Sequence, residues 1–189
     1  EIHISPEDRG FRFGDGLFET IRITRAKPYL WEDHLSRLQE GLQALKIDYA
    51  TDGLHSQAAT LIAKNNVAEG ILRIAISRGV GSRGYIPIEP VPTCYVTAAP
   101  IAMESASPRR LIVSRYHRIS PSSLPVHLKL ANGLNSILSV MEAREAGADD
   151  AVLLDADGNV AESSNANIFW KKNGTIYTPS LESGCLAGV

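Results

Sequence analysis

The sequence predicts an α+β protein, and three observations carry that prediction. Apolar residues recur at helical spacing in two well-separated stretches, 31–47 and 132–147. Short runs rich in β-branched residues lie between and after them. The last two pairs of runs are split by Asp157-Gly158 and Asn173-Gly174, the dipeptides that most strongly mark tight hairpins. Helices interleaved with mostly antiparallel strands make the α+β pattern. The composition agrees: 189 residues, 44% hydrophobic and 21% charged, is ordinary globular usage. That length allows one large domain or two small ones.

Taken in order, Gly14-Asp15-Gly16 forms a turn into a strand over 17–23, which Pro28 ends. The helix over 31–47 carries Leu35, Leu38, Leu42 and Leu45 as one stripe, with Glu32 and Asp33 in its first turn, where the helix dipole favours negative charge. A weaker helix covers 52–64, with Leu54, Ala58, Leu61 and Ile62 inside. Strands follow at 70–77 and 93–98, joined by a loop rich in Gly and Pro, and a short strand at 111–115. Residues 120–130 hold two prolines and no period, so they read as a connector. The division this implies is 1–118 as an N-terminal α/β subdomain and 119–189 as the start of a second. The helix over 132–147 has Leu134, Ile137, Leu138 and Met141 as its apolar stripe and Gly147 as its terminating glycine. The chain opens at Glu1 without Met and stops at Val189 just after the turn-like run 184–188, so both ends read as cut.

Several functions are disfavoured. With 19 Lys and Arg against 21 Asp and Glu, the net charge of −2 lacks the basic excess of a nucleic-acid binder. No apolar run nears the ~20 residues of a membrane span. Cys94 and Cys185 lie far apart, outside any C-x-x-C, which excludes a disulfide framework, leaves no zinc motif, and fits a reducing, cytoplasmic setting. The five histidines show no metal spacing, and no G-x-S-x-G elbow appears. Asp155-Ala156-Asp157-Gly158 lacks the further acids of a calcium loop and is a hairpin turn. Gly79-Val80-Gly81-Ser82-Arg83-Gly84 fits G-x-G-x-x-G, yet Pro87 and Pro90 follow where a dinucleotide site needs a helix. Arg78 and Arg83 on that loop are candidates to take a carboxylate bidentately, against the plain reading of a solvated loop.

Two residues stand out chemically. Lys129 sits between Leu128 and Leu130, and an amine in apolar surroundings loses its proton more easily and becomes nucleophilic; the alternative is a lysine snorkelling at a strand end. Glu162 ends an apolar strand ahead of the polar run 163–167, and a buried acid needs a partner, which a ligand cation can supply.

These residues converge on a family. The segments RGFRFGDGLFETIR (9–22), HLSRL (34–38), SRGVGSRGY (77–85), HLKLANGLNSILSVMEAREAGADDAVLLD (127–155) and GNVAESSNANIFWKKNGTIYTP (158–179), running on to SGCLAGV, occur in the order they take in the class IV, or fold-type IV, pyridoxal-phosphate enzymes. The chain resembles that family over nearly its whole length, as a two-subdomain architecture truncated at both ends. The resemblance implies pyridoxal 5'-phosphate (PLP) as cofactor and Lys129 as its Schiff-base lysine. It makes Glu162 the partner of the pyridine nitrogen and Arg37 the phosphate ligand. Leu186 would pack on the ring face, and Gly188 with Val189 would begin the phosphate-capping turn. Phe18, Arg83 and Tyr85 would contact the substrate. It also implies a homodimer acting on a small amino substrate. SRGVGSRGY and the ANIFWKK segment look most like aminodeoxychorismate lyase, which makes 4-aminobenzoate, a folate precursor, and pyruvate. Class IV aminotransferases of D-amino or branched-chain amino acids share the cofactor residues, and a non-catalytic family fragment is the third reading.

Overall fold

The computed structural model describes residues 3–82, 84–101 and 107–189. They form two compact units: the first holds the described residues up to 101 together with 129–132 and 189, and the second holds 107–128 and 133–188.

The first unit opens with a one-turn helix, α1 (Arg9–Phe13), whose Asp8 Oδ1 accepts the Gly10 N–H at 2.8 Å. Strand β1 (Gly16–Thr24) follows, then the two-residue β2 (Lys27–Pro28) and helix α2 (Trp31–Leu45). Helix α3 (Leu54–Lys64) leads into β3 (Gly70–Val80) and β4 (Val91–Pro100). The four strands make one antiparallel sheet in the order β2-β1-β3-β4. Successive strand residues face opposite sides. Leu17, Ile21 and Ile23 of β1 and Leu72, Ile74 and Ile76 of β3 therefore share one face and bury against Leu38 and Leu42 of α2 and Leu54, Ala58 and Ile62 of α3. Leu35 and Leu45 pack half-buried against that core, so the leucine stripe read from the sequence is the packed face. Gly79 interrupts β3 at a bulge, with φ +77°, and a side chain there would overlap the Val91 carbonyl. Glycine is the residue that tolerates both conditions.

In the second unit, β5 (Leu111–Val113) runs parallel to β6 (Asp150–Leu154). Helix α4 (Leu134–Glu145) lies between them in sequence, as a parallel pair requires. Strand β7 (Val160–Ser163) pairs antiparallel with β6 around the Asp157-Gly158 turn, and β8 (Trp170–Lys172) with β9 (Thr175–Tyr177) around Asn173-Gly174. Both turn glycines and Asn173 have positive φ, which is what these turns demand. A short 3-10 turn, Leu181–Ser183, ends at Gly184. Among the described residues, no helix is long and apolar enough to cross a membrane.

One expectation needs correction. The stripe on α4 does not face its unit: Leu134 is 66% exposed, Ile137 53% and Met141 51%, while Ser139 and Ala143 are the buried residues. Small side chains on the packed side let the helix lie close, and Ser139 Oγ donates to the Asn135 carbonyl at 2.8 Å and accepts from Ser114 Oγ at 3.0 Å. Periodicity finds an apolar face; it does not say what that face meets. Residues 107–128 group with 133–188, and β5 pairs with β6 inside that unit. Residues 129–132 return to the first unit, where Leu130 bridges Leu17.

Candidate active site

Lys129 belongs to the first unit, on a short extended run beside the start of β1. The Phe18 N–H donates to the Lys129 carbonyl at 3.0 Å, and the Ala131 N–H to the Gly16 carbonyl at 2.9 Å. Leu128 is buried and Leu130 half-buried, so the apolar flank read from the sequence is real. The Lys129 ammonium position lies 4.7 Å from the Phe18 ring centroid, and the Arg73 guanidinium stands 4.0 Å from the same ring. Cations are drawn to the negative face of an aromatic ring.

The strand period explains this grouping. Phe18, Ala75 and Tyr95 are register partners in a row across β1, β3 and β4, on the face opposite the helices. With Arg73, Leu17, Phe11, Pro6 and Ala131 they line a mainly apolar cavity of about 440 Å³. Neither Arg73 nor Tyr95 was singled out from the sequence. The available signal was an arginine inside the apolar strand GILRIAIS, at a position alternating with core residues.

The opposite face of β1 receives Glu19, which is 1% exposed. A buried carboxylate must be paired. Arg37 of α2 gives Glu19 a two-pronged contact, Nε to Oε1 at 2.8 Å and Nη2 to Oε2 at 2.6 Å, and His34 Nδ1 lies 2.7 Å from Oε2. Burial pushes the Glu19 carboxyl up, but the hydrogen bonds from His34 and Arg37 and the Arg37 charge outweigh it, and its pKa lies below the ordinary 4.5. The guanidinium edge formed by Nε and Nη2 is thus committed to Glu19, and any phosphate contact of Arg37 uses the remainder of the group.

Arg78 does take a carboxylate, but one from its own chain. Its Nε donates to Asp15 Oδ2 at 2.8 Å, while its Nη groups donate to the Leu45 and Lys46 carbonyls at the end of α2. It is a structural tie and not a substrate ligand. Tyr85 is 86% exposed on the β3–β4 loop. Arg83 lies outside the described residues.

The second unit carries the other group. Glu162, on β7, is buried and accepts from Arg118 Nε at 2.9 Å and from the Leu186 N–H at 2.9 Å. Arg118 Nε also lies 3.0 Å from the Gly184 carbonyl. Asn167 Nδ2 donates to the Leu186 carbonyl at 2.9 Å, and the Ala187 N–H to the His127 carbonyl at 3.1 Å. The turn 184–188 is therefore tied to the Glu162 carboxylate through the Leu186 amide. A side chain at Gly188 would overlap Asn167 Oδ1. Val189 is exposed and groups with the first unit. Arg118 escaped sequence reading because it lies in an irregular segment with no local pattern.

Among the described residues, no three His, Cys, Asp or Glu side chains are grouped to hold a metal ion. The first unit carries an amine with apolar flanks and a buried guanidinium, and the second a buried carboxylate with two donors. Taken singly, their chemistry suits an aldehyde, a phosphate and a basic ring nitrogen.

The model of the class IV amino-transferase family matches residues 16–189. The chain is 31% identical to an aminodeoxychorismate lyase of Bacillus subtilis, covering 98% of this chain and 65% of that protein. It is similar to the solved 4-amino-4-deoxychorismate lyase of Pseudomonas aeruginosa (TM-score 0.85, 31% identity, covering 100% of this chain and 70% of that one). It is also similar, with a higher TM-score, to a solved branched-chain aminotransferase of Thermoproteus uzoniensis (TM-score 0.93, 26% identity, covering 100% of this chain and 67% of that one). The chain therefore belongs to the class IV aminotransferase family. The cofactor of that class is pyridoxal 5'-phosphate, and the chain has the fold-type IV architecture of its solved members. It spans about two thirds of the length of the relatives it matches.

Proposed function

We propose that this chain provides the cofactor site and substrate pocket of an enzyme converting 4-amino-4-deoxychorismate to 4-aminobenzoate and pyruvate. The observation that carries the reading is the cavity beside Lys129: about 440 Å³, mainly apolar, with Phe18 and Tyr95 in its wall and one guanidinium, Arg73. A carboxylated six-membered ring matches such a lining, with the ring against the aromatic wall and a carboxylate at the cation. The aminodeoxychorismate lyases among its relatives point the same way.

In this reading Lys129 would be the amine that holds PLP, Glu162 would pair with its ring nitrogen, Arg37 with the turn led by Gly188 and Val189 would hold its phosphate, and Leu186 would pack on its ring. Bound PLP supplies an electron sink for the carbon that carries the substrate amine. Arg118 and the Leu186 amide hold the Glu162 carboxylate in place, where it would pair with a protonated ring nitrogen of bound PLP. Lys129, flanked by Leu128 and Leu130, removes the proton from the amine-bearing carbon. The enolpyruvyl oxygen leaves with the bonding pair, the methylene carbon of the released enolpyruvate takes up a proton to give pyruvate, and the ring left behind is aromatic. No amino acceptor is consumed. Phe18, Tyr85 and Arg83 position the substrate.

A class IV aminotransferase acting on D-amino or branched-chain amino acids is the second reading, favoured by the aminotransferase of Thermoproteus uzoniensis. A non-catalytic family fragment is the third. The decisive experiment supplies the full-length protein with PLP and aminodeoxychorismate but no keto acid. Equal release of 4-aminobenzoate and pyruvate over many turnovers, lost in Lys129→Ala, supports the lyase. No release, with steady amino transfer from an amino acid to 2-oxoglutarate, assigns the aminotransferase instead. Neither activity, with no PLP absorbance shift, leaves the binding fragment.

A further inference from the structure

Arg9 is 4% exposed, yet its guanidinium points at a surface loop. Nη1 donates to the Gly84 carbonyl at 2.8 Å and, more weakly, to the Ser82 carbonyl at 3.4 Å; Nη2 donates to the Tyr85 carbonyl at 3.0 Å. Nε donates to Asp15 Oδ2 at 2.9 Å. Asp15 is held in turn by Arg78, which reaches the last carbonyls of α2. The carboxyl of Asp15 is pushed up by burial and pulled further down by Arg78 and Arg9, so it stays ionised well below neutral pH. The Phe13 ring, one turn along α1, sits 5.0 Å from the Arg9 guanidinium and 5.6 Å from the Tyr85 ring.

The loop cannot order itself by burial. Tyr85, Ile86 and Ile88 are all exposed, and the β3–β4 ladder ends at Val80 and Val91. The Ser82, Gly84 and Tyr85 carbonyls are gathered by one fork of donors whose own position is fixed by an ion-pair chain leading back to α2, while Ser82 Oγ donates to the Ile86 carbonyl within the loop. A lysine could pair with Asp15 but could not span carbonyls of three residues, because its charge is a point on a flexible stem.

We propose that Arg9 is a positioning residue for substrate recognition: it holds the backbone carbonyls of Ser82, Gly84 and Tyr85 and thereby sets where Tyr85 is presented. The substrate role of Tyr85 rests on the function proposed above; the latching role of Arg9 rests on the contacts alone. A loosened loop spends less time in its binding-competent arrangement, and apparent affinity falls by that fraction. Chemistry at Lys129 is untouched, so the loss appears in KM more than in kcat.

The test compares Arg9→Lys and Arg9→Gln with the wild-type full-length protein by two readouts. Hydrogen exchange of the amides in 82–88 should accelerate by about tenfold or more in both variants, while strands β1 and β3 keep their protection. With whichever amino substrate the wild type turns over, KM should rise about tenfold and kcat stay within about threefold, with PLP absorbance unchanged. Unchanged loop exchange overturns the proposal, whatever the activity. Faster exchange with unchanged KM overturns the recognition role. Falling kcat together with lost PLP binding shows a general structural role and also overturns it. If Arg9→Gln fails to fold, Arg9→Lys decides. If the wild type turns over no amino substrate, the function proposed above has failed, and loop exchange alone judges the latch.

Discussion

Glu162 shows how single residues here are tuned by their partners. Its carboxylate is buried, and Arg118 and the Leu186 amide each satisfy one oxygen. Glu162→Gln keeps the size and removes the charge, so PLP should still bind while turnover falls on the order of 10²-fold, read as kcat beside an unchanged cofactor titration. Unaltered kcat would remove Glu162 from the mechanism. Glu19 makes a prediction about acid. Its folded pKa lies below the ordinary 4.5, so between the two values the folded state binds fewer protons than the unfolded one. Its contribution is complete above pH 4.5 and is lost as pH falls through the depressed value. Thermal melting of Glu19→Gln should therefore show a lower Tm at neutral pH and a weaker loss of stability on acidification than wild type. Equal pH slopes would show that other groups govern the acid limb. The sequence did not reveal Glu19, because a strand glutamate is normally exposed; burial became visible only when the strand was placed against α2.

At the scale of elements, α4 separates pattern from packing. Its apolar stripe Leu134, Ile137 and Met141 is exposed, and Ser139 and Ala143 do the packing. Ile137→Gln should change the stability of this chain by no more than about 0.5 kcal/mol, as surface substitutions do. Ala143→Gln places a larger polar group at a fully buried site and should cost more than about 2 kcal/mol. Melting temperatures of the two variants check this, and an equal loss in both would return the stripe to the core. The helix over residues 31–45, both hairpins and the β1 and β3 strands were legible because local periodicity and turn dipeptides specify them. The five-residue α1 was not, since one turn has no period to read, and the parallel pairing of β5 with β6 depends on a partner 39 residues away.

For the whole molecule, exposed apolar residues on the β3–β4 loop, Tyr85, Ile86, Ile88 and Val91, make a homodimer the assembly we expect of the full-length protein. Sedimentation should give twice the chain mass, and the contact should bury more than roughly 1,000 Å² in total. A fully active monomer would contradict it.

By itself the sequence determined the α+β class, most element positions, and Lys129 and Glu162 as the residues with unusual surroundings, because apolar flanks and turn chemistry are local. The family followed from motifs spread along the chain. Tertiary structure alone decided what those residues meet. Arg118 and Leu186 on Glu162, Arg37 and His34 on Glu19, Arg73 on Phe18, and Arg9 on the loop carbonyls are all contacts between residues distant in sequence. A side chain's charge and size are written in the chain, but its partner is set by strand register and helix placement, and those are settled only when the core closes.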